Sequence, residues 1–208
     1  MMAPPNEDVP PAGVGRGYAA LVRRAALAKA RSVALQDPER VPSTWLRAGP
    51  QGPRGAPRTK GVVLGADTIV VCDGVVLGKP SSRAEARRML ELLSGRWHAV
   101  YTGVALVCGE RCEVGHQRTE VAFRELLKPE IIRYVAGGEP MDKAGAYAVQ
   151  GGGAALIRAI RGCYTNVVGL PVPLVLRMLR KFEEVGVAEP ACLQAGRAAG
   201  PKGLALLR

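Results

Sequence analysis

Apolar and polar positions follow two rhythms along this chain, and the change of rhythm marks its elements. Over residues 17–35 (GYAALVRRAALAKARSVAL) apolar positions recur at helical spacing in a run rich in Ala, Leu and Arg, which predicts a helix. Its face at 22, 26, 29 and 33 carries Val22, Ala26, Lys29 and Val33, so one lysine interrupts an apolar stripe. Either that side chain lays its stem along the surface, or its ammonium points into an anionic site at the edge of the core. From residue 61 the rhythm shortens. Val62-Val63-Leu64 and Ile69-Val70-Val71 are β-branched runs too short for helices and read as buried strand. Asp73-Gly74 is a two-residue hairpin signal leading to a further strand, Val75-Val76-Leu77.

Helical spacing returns in SSRAEARRMLELLSG. Ser82 and Glu85 form a capping-box pattern, Ala86, Met89, Leu90 and Leu93 make the buried stripe, and Gly95 ends it. WHAVYTGVALVC reads as a strand broken at Thr102-Gly103, followed by a Gly109-Glu110 turn and a return strand through residues 119–123. Pro129 opens a short helix over 130–136. Residues 154–157 with Ile160 suggest another strand, and 163–166 a turn. A last helix, opened by Pro171, is carried by Leu174, Val175, Met178, Leu179 and Phe182. Residues 36–60 hold five Pro without periodicity and read as a mobile, solvated loop. Residues 1–16 read as an irregular segment, 17–185 as a single domain, and 186–208 as a disordered tail.

Composition narrows the class. Twenty-nine Lys and Arg against 18 Asp and Glu give a formal charge of +11, which favours polyanionic partners. The excess is spread out, and two Trp, five Tyr and two Phe do not interleave with it as a base-stacking platform requires. A phosphorylated small molecule is therefore favoured over specific nucleic-acid recognition. No apolar run approaches a membrane span, and the start lacks the pattern of a signal peptide, so the expected location is cytoplasmic. Five scattered cysteines do not form a disulfide framework. Cys108, Cys112 and His116 have a spacing that supplies three metal ligands, but no second ligand pair follows.

Two stretches carry candidate chemistry. Asp67 is a lone carboxylate between the two apolar runs, a costly place for a charge unless it is paired, metal-bound or protonated, and Lys79 follows where the next strand runs out. In GGEPMDKAGAYAVQGGG, residues 137–153, Asp142, Lys143 and Gln150 lie among six glycines, a pattern of backbone folded closely around something.

Taken together, GADT (65–68), GKP (78–80), LSG-x-x-H-x-V-x-TGV (93–104), DKAGAY (142–147), QG (150–151) and NVVGLP (166–171) resemble, in this order and spacing, the Maf family of nucleoside triphosphate pyrophosphatases. The resemblance covers residues 17–183. It implies an α/β, Maf/ITPase-like fold, with a long mixed β-sheet and helices around a nucleotide-binding cleft. It further implies hydrolysis of dTTP or UTP to monophosphate and pyrophosphate with a divalent cation, Mg2+ or Mn2+, in a house-cleaning role in nucleotide metabolism. Carried over by motif, Asp67 is the proposed base that activates water, Lys79 and Lys29 would balance phosphate charge, and Lys143 is a further expected substrate-binding residue. Thr68 and Gln150 mark the dTTP/UTP branch and contact the base. The metal ligands stay unassigned, and a homodimer is among the assemblies the resemblance allows.

Residues 1–16 depart from the family pattern, in which a first strand and a Ser-x-Ser-Pro-Arg-Arg loop hold the phosphates. The expectation is that the natural start lies upstream of Met1, or that this is a reduced member, a catalytically impaired nucleotide-binding or regulatory protein. On either reading the chain as given is expected to be weakly active and to expose a sheet edge.

Overall fold

The two apolar runs around Asp67 form one continuous strand, β1 (Val62–Cys72), in the computed structural model, which describes residues 15–36, 61–108, 111–184 and 204–207. Ala66-Asp67-Thr68 does not interrupt it, because extended backbone accommodates polar residues where strand and solvent meet. Asp73 and Gly74, both at positive φ, turn the chain into β2 (Val75–Leu77) as the hairpin signal predicts. β3 (Trp97–Cys108) is likewise unbroken at Thr102-Gly103, and β4 (Arg111–Phe123) returns beside it over its whole length. β5 (Ile157–Arg161) completes an antiparallel order β2-β1-β3-β4-β5.

Helix α1 (Gly15–Gln36) lies across one face of β1 and β3. Its buried line is Ala19, Val22, Ala26 and Ala30, which leaves Lys29 beside the stripe instead of within it. The approach is close enough to dictate two glycines. A Cβ on Gly65 would stand 2.4 Å from the carbonyl oxygen of Ala26, and one on Gly103 2.2 Å from that of Val22. The Thr-Gly that reads as a strand break is thus a recess for a helix.

The opposite face carries the remaining helices. α2 (Arg83–Leu93) and α3 (Lys128–Ala136) join Val70, Val100, Val121 and Phe123 in the largest core cluster. After α4 (Tyr164–Val168), α5 (Val172–Glu184) sets Val175 and Met178 against Leu64, Val104 and Leu106. Ser82 caps α2 by accepting from the Glu85 amide at 3.2 Å, while the Glu85 carboxylate reaches back to Ser81, one residue before its expected partner.

Three further expectations are corrected. Residues 152–156 form a 3-10 turn, so the strand begins only at Ile157. Residues 164–168 form a short helix where a turn is read from the sequence. Within the tail read as disordered, β6 (Leu204–Leu207) pairs in parallel with β1, Val62 with Leu204 through Gly65 with Leu207, and makes the sheet mixed. The expectations for residues 1–14, 37–60, 109–110 and 185–203 lie outside the described residues.

Candidate active site

One side of β1 belongs entirely to β3. The other side is shared: β6 pairs with residues 62–65 and β2 with residues 70–72, so 66–69 have no strand beside them there among the described residues. The candidate residues gather around this gap. Asp67, opposite Gly103, points to the α1 face, where its carboxylate pairs with Lys29 Nζ. The same ammonium lies 3.4 Å from the carbonyl oxygen of Ala66. The Asp67 side chain keeps 23% of its surface exposed and that of Lys29 48%. An ion pair so accessible to water contributes about 0–1 kcal/mol. Fold stability therefore does not by itself explain a carboxylate in the middle of this strand.

Two more lysines approach from the far side. β2 ends at Leu77, opposite Val70, so Gly78 and Lys79 leave the sheet beside the gap. The carbonyl of Gly78 accepts from the Gly145 amide at 3.0 Å, which docks the glycine-rich segment there. A Cβ on Gly145 would press on Val70 at 2.9 Å, and Lys143 lies two residues earlier. Lys143 donates to Asp142 at 2.7 Å, and that contact, with the charge of Lys79 adding to it, lowers the Asp142 carboxyl below its ordinary value. Lys143 thus holds the Asp142 carboxylate directly, while Lys79 acts on it only through its charge.

Thr68 and Gln150 are placed differently. Thr68 points to the face opposite Asp67, where its hydroxyl meets that of Thr102 at 2.9 Å. Gln150 is exposed, on a turn secured by Glu139. The Glu139 carboxylate accepts from Tyr134 Oη at 2.7 Å and from the amides of Gly152 and Gly153 at 2.9 and 3.1 Å. Burial raises the Glu139 carboxyl, but these bonds and the charge of Lys143 outweigh it and hold it below the usual range. Segment 137–153 is therefore a built element, as the glycine pattern implies.

Another sequence motif proves to be an anchor. His98, from LSG-x-x-H, shares a 2.9 Å hydrogen bond with Tyr147 of DKAGAY, and both pack edge-on against Phe123. Burial pushes the His98 imidazole down to about 3, so it is neutral and ties the glycine-rich segment to β3. Cys112 and His116 lie four residues apart on extended β4, roughly 13 Å, and do not converge as metal ligands. Sequence reasoning missed the buried Thr102-Thr119-Asn166 network beneath Thr68. Its signal was present in the TGV and NVVGLP motifs, but which residues meet there depends on strand register.

Against known proteins, the chain matches the family described as Maf-like protein over residues 3–182, and it belongs to that family. The match begins within the segment that departs from the family pattern, where residues 1–16 contain no serine. A dTTP/UTP pyrophosphatase of Symbiobacterium thermophilum is 52% identical over 164 residues, 79% of this chain and 74% of that protein. One of Moorella thermoacetica is 51% identical over 166 residues, 79% and 75% of the two chains. One of Pelotomaculum thermopropionicum is 56% identical over 123 residues, 58% of this chain and 64% of that protein. The chain thus spans less than two thirds of the last relative's length and about three quarters of the other two. No helix among the described residues is long and apolar enough to cross a membrane.

Proposed function

We propose that the chain hydrolyses dTTP or UTP between the α and β phosphates, giving the monophosphate and pyrophosphate, at the gap beside residues 66–69 of β1. The observation that carries this reading is the solvent-accessible pair between Asp67, the one charged residue of β1, and Lys29 of α1, with Lys79 and Lys143 on the neighbouring loops. The dTTP/UTP pyrophosphatases similar to this chain support the substrate class. Asp67 orients the attacking water and takes its proton, and the lysines offset charge as it moves onto the departing pyrophosphate. Thr68 and Gln150 contact the base.

Among the described residues no three His, Cys, Asp or Glu side chains converge as a metal site. A Mg2+-type ion fits nonetheless, since such ions commonly take one or two carboxylates and complete their shell with substrate phosphates and water. Asp67 would hold it, and the ion would supply charge neutralisation at the phosphates. The expected location is the cytoplasm, where nucleoside triphosphates occur.

A nucleotide panel assayed with Mg2+ and with Mn2+ tests the reading. Pyrophosphate release, fastest with dTTP or UTP, supports it; orthophosphate released one group at a time counts against it. Tight nucleotide binding without turnover would identify a regulatory nucleotide-binding member of the family instead.

A further inference from the structure

We infer that the cleft at the free edge of β4, between α1 and α5, is a second anion site, separate from the one around Asp67, and that it takes the phosphate group of a small molecule. Such a site does not depend on the proposed hydrolysis.

The sheet order creates the opening. β4 pairs with β3 through residues 111–122, but β5 covers only residues 120–123 of its other side. Residues 111–118 therefore have no strand beside them there among the described residues. Helices stand over both faces of this edge. Gly115 lets α5 pack directly on it, since a Cβ there would lie 2.9 Å from Met178 Sδ and 3.3 Å from Leu174 Cδ1. On the opposite face α1 crosses Gly103, the partner of His116 in register. A cleft of about 330 Å³ results, lined on the strand side by residues 113–116.

Its charge comes from both helices. α1 contributes Arg23, and α5 contributes Arg177 and Lys181. Against these the lining holds one carboxylate, Glu113, so two positive charges stand unanswered. Arg23 donates to the Ala19 carbonyl of its own helix at 3.2 Å, while Arg177 and Lys181 have no side-chain hydrogen bond or ion pair among the described residues. Like charges four residues apart on one helix face repel. Bringing Arg23 up to this pair adds to the repulsion, and a bound dianion removes it. Guanidinium groups match the oxygens of a phosphate with paired hydrogen bonds, and the outward amides of an unpaired strand edge add further donors.

Two observations separate this cleft from the Asp67 side. Arg23 and Lys29 are six residues apart, about 120° around the helix, on opposite flanks of the buried line through Val22, Ala26 and Ala30. Lys29 reaches β1, and Arg23 lines the β4 cleft. Asp67 and His116 share a sheet face with Gly103 between them in register, two strand spacings or about 10 Å apart.

His116 reports on the cleft. Partial burial, with the charge of Arg23 adding to it, lowers its imidazole below the ordinary value. An anion bound beside Arg23 cancels that charge and raises the imidazole again.

The test is proton NMR of the whole chain, which holds two histidines, with buried His98 as the internal control. The chain is titrated between about pH 5 and pH 8 in sodium sulfate and in sodium chloride of equal ionic strength. Sulfate stays a dianion throughout and stands in for the phosphate group. The His116 pKa should be higher in sulfate by about half a pH unit or more, while His98 does not move. Inorganic phosphate and methyl phosphate, added at constant pH, should shift the His116 signal in the same direction and saturably. A response to inorganic phosphate alone would make the ligand the free ion, and a response to both the phosphate group of an ester. The double variant Arg177→Gln/Lys181→Gln should lose every response with its thermal melt unchanged, and Lys79→Met should keep them.

Equal His116 titrations in sulfate and chloride overturn the inference, as does a response that survives the double variant. A response that vanishes in Lys79→Met places the anion on the Asp67 side and overturns it too. A response to sulfate that neither phosphate reproduces overturns the ligand class. No nucleotide enters these measurements, so failure of this site and failure of the proposed hydrolysis are separate results.

Discussion

Asp67 and Thr68 are neighbours on one strand, yet their side chains enter environments of different physical character. Toward α1, Asp67 meets a lysine in a water-accessible ion pair, above two glycines that let the helix sit on the sheet. Toward α4, Thr68 joins a hydroxyl-amide network with no formal charge, whose inner members are fully buried. Charge acts over distance and tolerates loose geometry, which suits a triphosphate. Directional bonds in a dry interior are short-ranged and strict, which suits the edge of a base. The alternation of a β-strand puts both environments within one dipeptide.

Breaking the charged side should have the largest effect. Asp67→Asn keeps the shape and removes the proposed base, and turnover of dTTP should fall by roughly 100-fold or more, with an unchanged melting curve. A near-normal rate would take catalysis away from this face. Lys29→Met should cost about tenfold in kcat/KM. Combined with Asp67→Asn, it should lose less than the product of the single effects, because the two side chains form one contact. Independent, multiplicative losses would show that the pair does not work as a unit.

The network side should reveal itself in stability. Asn166→Ala removes the side-chain amide that donates to the Val100 carbonyl and to Thr119 Oγ1, and urea unfolding should show a loss of about 2–3 kcal/mol. A loss under about 1 kcal/mol would mean that α4 is held by packing alone. Acid should act on the same face through His98. Its native pKa, about 3, lies below the ordinary value of 6.5, so the unfolded chain binds the proton first. Stability is therefore full above about pH 6.5 and declines as pH falls from there toward 3. His98→Gln should flatten the melting temperature between pH 7 and 5, and an identical slope in both proteins would refute the assignment. The smallest effect is expected from Gln150→Glu, which should reorder the nucleotides by several-fold while changing the best rate less. A uniform loss across the panel would make Gln150 structural.

Much of the frame is legible in residue spacing because it is local. The Asp73-Gly74 hairpin, the Ser82 cap with its stripe from Ala86 to Leu93, and the Pro171-led helix depend on residues within a few turns of one another. Asp67 is legible for another reason: a lone carboxylate in a β-branched run is costly wherever it falls. The misses share a cause as well. Thr102-Gly103 looks like a break until α1 is laid over it, since only the helix's close approach explains the glycine. Asn166 looks like a turn residue until register brings Val100 and Thr119 beneath it. Lys29 reads as part of the apolar stripe because the true line runs through Ala30, a one-residue rotation that composition cannot resolve. Where side chains meet across long stretches of sequence, spacing carries no information.

The pairing of β6 with β1 has a consequence for the order of events in folding. It joins positions separated by roughly 140 residues, a contact far costlier in loop-closure entropy than the β1–β2 hairpin. A growing chain synthesised from its N-terminus can complete the antiparallel sheet well before residues 204–207 emerge. Until then, the first four residues of β1 offer unpaired amides and carbonyls to any extended segment nearby. The lag between making the central strand and making the one that parallels it is thus an interval in which this edge is open among the described strands.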